Sequence, residues 1–230
     1  MTTHYELQDG VAVIRLDDGK ANALGQARVA AIQAHLDRAE QEANAVLIMG
    51  REGMFSAGFD LKEMMAGIES TRALVKAGGE LMLRIFMSPL PVVAACTGHA
   101  MAGGVILLTA CDLRIGAEGS FKIGLNEVSL GMTPPMYLVG LARHRLSPKW
   151  YPRIVSQSEI VSPADAVEAG CLDFTAPPEA LQEQALGAAR RLGALPRKAF
   201  VEAKRRERGA LAQALREGLD EDLKTVVIAP

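Results

Sequence analysis

The segment FKIGLNEVSLGM, Phe121 to Met132, holds one ionisable residue beyond Lys122, and that residue is Glu127. Ile123 and Gly131 stand four positions to either side, so no cation at helical spacing can pair with the carboxylate. Two readings follow. Glu127 is a surface carboxylate at a strand end, or it is a base in a partly apolar pocket, where loss of water raises its pKa. Asn126 beside it could orient a ligand.

Two further stretches share one layout of apolar strand, small-residue loop and helix start. FSAGFDLKEM follows AVLIMG, and TGHAMAGGVILL follows PVVAAC. Asp60 and Glu63 have the spacing of a capping pair, which predicts a helical turn from Leu61. Gly103-Gly104 opens the second helix. The first N–H groups of a helix lack intrahelical partners and lie at the positive end of its dipole. With little side-chain bulk, a ligand oxygen can approach them closely. Two such loops on successive strands could aim two amides at one oxygen, which is how an oxyanion hole is made.

Other chemistries find little support. No G-x-x-x-x-G-K-[ST] is present and no G-x-G-x-x-G follows a strand, so a nucleotide site of either kind is not expected. No H-E-x-x-H and no His/Cys cluster points to a metal. Ser56 lacks the G-x-S-x-G elbow, and it is read with His99 as a structural loop residue. Cys96, Cys111 and Cys171 form no C-x-x-C pair; they read as buried reduced thiols, in keeping with a cytoplasmic protein. The basic run from Arg190 to Arg208 reads as a solvated helix face, with contact to cofactor phosphates as the alternative.

The elements that must position these residues are legible in the patterning. Alternating apolar residues on both sides of Asp9-Gly10 predict a hairpin. Val29, Ile32, Leu36 and Ala39 fall on one face of a helix within ANALGQARVAAIQAHLDRAEQE. AVLIMG, PVVAAC and DLRIGA read as buried strands, with helices over Arg72–Met87 and VILLTA between them. That alternation predicts an α/β core with parallel pairing. Ser162 and Asp165 cap a helix that ends at Gly170. Beyond it, Leu211, Leu215, Leu219 and Leu223 form a stripe on one long helix, which docks either on its own core or on another subunit. The expected division is a core over 1–172 and a helical region over 173–230.

The bulk composition excludes some functions. The 230 residues are 49 % apolar and 23 % charged, as in ordinary globular proteins, and a net charge of −2 argues against nucleic-acid binding. Pro91 to Cys111 is long and apolar enough for a membrane span. Gly98, His99, Gly103 and Gly104 break it, so it reads as strand, loop and helix, with no membrane association expected. The N-terminal MTTHYELQDG has no basic segment followed by an apolar one, so no secretory leader is expected there.

FSAGFDLKEM, GHAMAGGVILLTACDLRI and FKIGLNEVSLGM, in this order and spacing, resemble the crotonase (enoyl-CoA hydratase/isomerase) superfamily. The resemblance runs from the hairpin to SPADAVEAGCLD, about three quarters of the chain. It implies a β-β-α superhelix with a helical C-terminal trimerisation region, assembled as a homotrimer or hexamer. It also implies an acyl-CoA thioester as substrate in fatty acid metabolism, with no cofactor held permanently and coenzyme A carried by the substrate. In that pattern the N–H groups of Phe59 and Gly103 hold the thioester oxygen. Ala57, Gly58, Asp60 and Leu61 line the CoA and acyl site, with Lys20 and Ala21 in the first CoA-contacting loop. Hydratases of the family carry a second glutamate where this chain has Ile106, so the single Glu127 within GLNE looks like the 3,2-enoyl-CoA isomerase branch. The alternatives are a hydratase, another thioester activity such as a thioesterase or decarboxylase, or a non-catalytic CoA- or RNA-binding homologue. Met64, Met65, Met101 and Met136 are candidates for an adaptable apolar lining.

Overall fold

The structure, a computed structural model, describes residues 3–225. It opens with the hairpin, β1 (Thr3–Gln8) against β2 (Val11–Leu16), in a register that pairs Gln8 with Val11. Asp9 (φ 50°) and Gly10 (φ 77°) supply the two left-handed residues that a tight two-residue hairpin turn requires. Helix α1 (Gln26–Glu42) follows. It starts later than the periodicity alone suggests, because Leu24 is engaged in a bridge with Phe59 and Gly25 is extended.

Three turns of strand, strand and helix then succeed one another. The first comprises β3 (Ala45–Met49), β4 (Gly53–Ser56), α2 (Leu61–Met65) and α3 (Ile68–Phe86). The second is β5 (Val92–Cys96), β6 (Gly98–Met101) and α4 (Gly103–Ala110); the third is β7 (Leu113–Ala117), β8 (Ile123–Gly124), a 3-10 turn at Val128–Leu130, and α5 (Met136–Arg145). Helices α6 (Tyr151–Val155) and α7 (Pro163–Ala169) lead to β9 (Phe174–Ala176), α8 (Pro178–Gly193) and α9 (Arg197–Asp222). The first strand of each turn enters a six-stranded sheet ordered β1-β2-β3-β5-β7-β9, parallel from β2 onward. The second strand of each enters a parallel three-stranded sheet, β4-β6-β8. The segments read from sequence as glycine loops, FSAG and TGHAM, thus contribute β4 and β6. Four residues containing glycine are too few to show an alternating pattern.

Strand alternation explains the apolar runs. Ala45, Leu47 and Met49 face α8, where Leu181, Ala185 and Ala189 cover them; Val46 and Ile48 face the main core beneath α1, α3 and α4. The leucine stripe docks on the subunit's own core: Leu215, Leu219 and Leu223 are buried and Leu211 packs against them. Gly140 and Gly79 let α9 approach, since a Cβ there would stand 2.8 Å from Leu215 and 3.1 Å from Leu219. Region 173–230 opens with β9 in the main sheet; its last five residues lie outside those described.

The basic run is not wholly a solvated face. Arg205 and Arg206 pair with Glu202 at the surface, but Lys204 and Arg208 turn inward and share Asp112, at 2.9 and 2.8 Å. Asp112 also accepts from Val92 N. Replacing it with alanine strands two buried cations, so Asp112→Ala is expected to lower stability by about 3–5 kcal/mol. Denaturant unfolding of the two proteins side by side measures the difference.

Candidate active site

Pairing of β4 with β6, and of β6 with β8, brings together three chain segments that are far apart in sequence. Strand β6 runs beside Ile123 and Gly124, and Ala102 N–H closes the junction on Gly124 O at 2.9 Å. On its other side β6 holds β4, so the turn after Ser56 meets the turn after Met101. A Cβ on Gly58 would stand 3.0 Å from Gly103 N, which shows how closely the two turns approach. Ala102 sits at φ 49° and ψ −124°, a positive-φ conformation that costs an alanine strain, and Gly103 follows as the first residue of α4.

Phe59 N–H and Gly103 N–H donate to no protein acceptor among the described residues. For Gly103 the cause is position: the first turn of a helix has no intrahelical acceptor for its amides. For Phe59 it is the bridge to Leu24, which engages Gly58 O and Asp60 N on either side and leaves the amide between them free. Asp60 has a different task. Its carboxylate caps α2, accepting from Lys62 N (2.8 Å) and Glu63 N (3.3 Å). Glu63 does not complete the reciprocal capping bond; it reaches Gln26 N (2.9 Å) and so caps α1.

Glu127 follows β8 and precedes the 3-10 turn, which ends at the left-handed Gly131; its own carbonyl accepts from Leu130 N and Met132 N. Only 6 % of the residue is exposed, and its Oε2 has no hydrogen-bond partner among the described residues. Burial pushes the carboxyl up to about 7, while a bond from its own backbone N–H pulls slightly the other way. The surface reading of this residue is therefore excluded.

Glu127 opens onto a cavity of about 110 Å³. Ala57, Phe59, Leu61 and Asn126 line it with Glu127, and Met64, Val75 and Leu138 close its apolar side. Among the described residues no other ionisable side chain lines it. Of the four candidate methionines only Met64 is part of this wall; Met65 and Met136 are largely exposed, and Met132 lines the cavity unforeseen. Thr71, Thr133 and Pro135 were equally invisible in the sequence, because only the tertiary fold brings them here. Lys20 is exposed and Ala21 half-buried on the loop before α1, where Ala21 O accepts from Ala57 N at 2.9 Å.

His99 and the three cysteines do not line this cavity. His99 accepts from Lys122 N through Nδ1 at 2.9 Å and meets Phe121 edge-on. All three cysteines are free and buried, and burial pushes each thiol up to about 12. No helix of the described residues is long and apolar enough to cross a membrane.

A paired amide site beside a lone, desolvated carboxylate is suited to moving a proton next to a polarised carbonyl. Comparisons with known proteins show what the chain is similar to. The family model described as enoyl-CoA hydratase/isomerase matches residues 6–227. Mitochondrial enoyl-CoA delta isomerase 1 of Homo sapiens is 32 % identical over 223 residues, 95 % of this chain and 74 % of that protein. A probable enoyl-CoA hydratase of Bacillus subtilis is 34 % identical over 179 residues, covering 74 % and 67 %. The crystal structure of an enoyl-CoA hydratase/isomerase family protein from Pseudomonas syringae superposes with a TM-score of 0.96 at 38 % identity, over 98 % of each chain.

Proposed function

The chain belongs to the enoyl-CoA hydratase/isomerase family, and from that premise we propose that it is a 3,2-enoyl-CoA isomerase with Glu127 as its single base. The observation that carries this reading is that Glu127 alone, among the residues lining the cavity, can take up and release a proton near neutral pH. Ile106, where the resemblance places a hydratase's second glutamate, is an apolar side chain only 1 % exposed.

In the proposed reaction the thioester oxygen lies between Phe59 N–H and Gly103 N–H. Both amides strengthen their hold as negative charge develops on the oxygen, which acidifies the C2 protons. The Glu127 carboxylate removes one of them. The C2–H electron pair delocalises over C2, C3 and C4 and onto the oxygen as a dienolate. Glu127 then returns the same proton to C4, leaving the double bond between C2 and C3. A pKa of about 7 suits a group that must accept and then donate in one turnover. The apolar walls at Met64, Val75 and Leu138 fit an acyl chain, and coenzyme A enters and leaves with the substrate. Assembly as a homotrimer or hexamer belongs to the same proposal; light scattering of the purified protein measures it.

The test is to supply 3-enoyl-CoA thioesters of several chain lengths and follow the conjugated 2-enoyl product by ultraviolet absorbance. Conjugation at enzyme-dependent rates is the expected result; none at any length, with thioester binding intact, refutes the isomerase assignment.

One observation favours hydration as a second reading. Asn126 Oδ1 and Glu127 Oε2 are buried and without partners among the described residues, and both residues line the cavity, so a water held by them could add to a 2-enoyl thioester. Loss of 2-enoyl absorbance in the presence of the protein would identify that activity.

A further inference from the structure

We propose that Asn22 and Ser56, neither of which reaches the cavity, are positioning residues that aim the Phe59 N–H at the ligand oxygen. The inference rests on the thioester reading above and extends it to how the donor is held. Both residues are fully buried. Asn22 is in the left-handed region at φ 52°, a conformation asparagine tolerates better than most residues. Its Nδ2 donates to Leu16 O (2.8 Å), Met54 O (3.2 Å) and Phe55 O (3.2 Å), and its Oδ1 accepts from Asp18 N (3.1 Å). One side chain thus ties the loop before α1 to the end of β2 and to β4.

Ser56 continues the link. Its hydroxyl donates to Asn22 O (2.9 Å), which directs its lone pairs elsewhere, and it accepts from Gly58 N (3.2 Å). Gly58 N–H is therefore occupied and does not compete for the ligand oxygen. On the other face of the same residue, Gly58 O accepts from Leu24 N at 2.7 Å, two residues beyond Asn22. A trans peptide group is planar, with its C=O and N–H pointing in opposite directions. Fixing Gly58 O toward Leu24 therefore turns Phe59 N–H away from Leu24, to the side where it finds no protein acceptor. The Ser56 backbone also abuts Gly104 in the first turn of α4, so the same residue braces one donor loop against the other.

The test is optical. A 2,4-dienoyl-CoA thioester has a carbonyl conjugated with its double bonds, and its absorbance moves to longer wavelength when hydrogen-bond donors draw charge onto the oxygen. Binding is measured in the Glu127→Gln background, which keeps the probe from being consumed. The expected result is a red shift with Glu127→Gln alone. The shift is mostly lost when Ser56→Ala is added, with the dissociation constant within about threefold. In the otherwise native enzyme Ser56→Ala is expected to lower kcat by about 10- to 100-fold with little change in KM, as for a small misplacement of a catalytic group. An undiminished shift and an undiminished kcat in the Ser56→Ala proteins would overturn the positioning role and leave the thioester site standing. No red shift before Ser56 is changed, with the probe bound, would overturn the oxyanion reading and this inference together. If Ser56→Ala does not fold, Ser56→Cys, whose thiol is only a weak donor and acceptor, is expected to lose part of the shift and of kcat, and an undiminished shift and kcat in it would overturn the positioning role.

Discussion

Glu127→Gln is expected to abolish isomerisation while making the protein more stable above neutral pH. Removing a general base costs on the order of 10²–10⁴-fold in rate, and with no second carboxylate in the cavity the loss should reach at least about 10³-fold. Stability moves in the opposite direction. The carboxyl titrates at about 7 in the folded chain and near 4.5 when solvated. The folded protein therefore holds the Glu127 proton more tightly than the unfolded chain. That preference contributes stability fully below pH 4.5, and it is lost progressively as pH rises to about 7. Above that the fold carries a buried charge with a cost of about 3 kcal/mol, which the neutral amide does not incur. The measurement is denaturant unfolding of both proteins at pH 5 and pH 8, with the advantage of the variant growing toward pH 8. A residue retained for packing would show neither the rate loss nor this pH-dependent gain.

The same titration sets the pH profile of the native enzyme. Abstraction of the C2 proton needs the carboxylate, so kcat/KM is expected to fall about tenfold per pH unit below about 7. An acid limb centred near 4.5 would mean that Glu127 is solvated when it acts, contrary to its burial.

The framework of this site is legible in the sequence because strongly apolar runs have few ways to be buried. AVLIM and VVAAC are too short for long helices and too apolar for edge strands, and they are the adjacent central strands β3 and β5. Ser162 and Gly170 mark both ends of α7, since each supplies a local bond or backbone angle that needs no tertiary partner. Glu127 is conspicuous for a related reason, as a charge without a neighbour. What stays hidden depends on distance along the chain. Whether Glu127 faces water or a cavity is decided by Met64, Val75 and Leu138, whose patterns mark them only as core. Ser56 read as an ordinary loop serine because its acceptor, Asn22 O, is 34 residues away. The inward turn of Lys204 and Arg208 was concealed by the arginines around them, and only the position of Asp112 separates the buried cations from the solvated ones.

Gly58→Ala is expected to disable the site from the other side, by spreading the two donors apart. The residue has φ 91°, and an added Cβ would stand 2.8 Å from Ala102 Cβ and 3.0 Å from both Gly103 N and Met101 O. Two of these three neighbours are backbone atoms. A Cβ on Gly104 would in turn stand 2.4 Å from Ser56 O, so the two turns are already packed without slack. The strain is therefore relieved by separating the Phe59 turn from the Gly103 turn, and a donor that misses the oxyanion costs about 10²–10³-fold in kcat. The substitution also carries a penalty of roughly 1–3 kcal/mol for placing a side chain in the left-handed region. Gly53→Ala separates these two effects. Gly53 has φ 73° at the start of β4, five residues before Gly58, yet a Cβ there meets nothing among the described residues within 4 Å. Gly53→Ala should share the stability loss and keep the native rate, whereas Gly58→Ala should lose both. Equal rates in the two variants would show that the spacing of the two turns does not govern the reaction, and would remove the backbone amides from the mechanism.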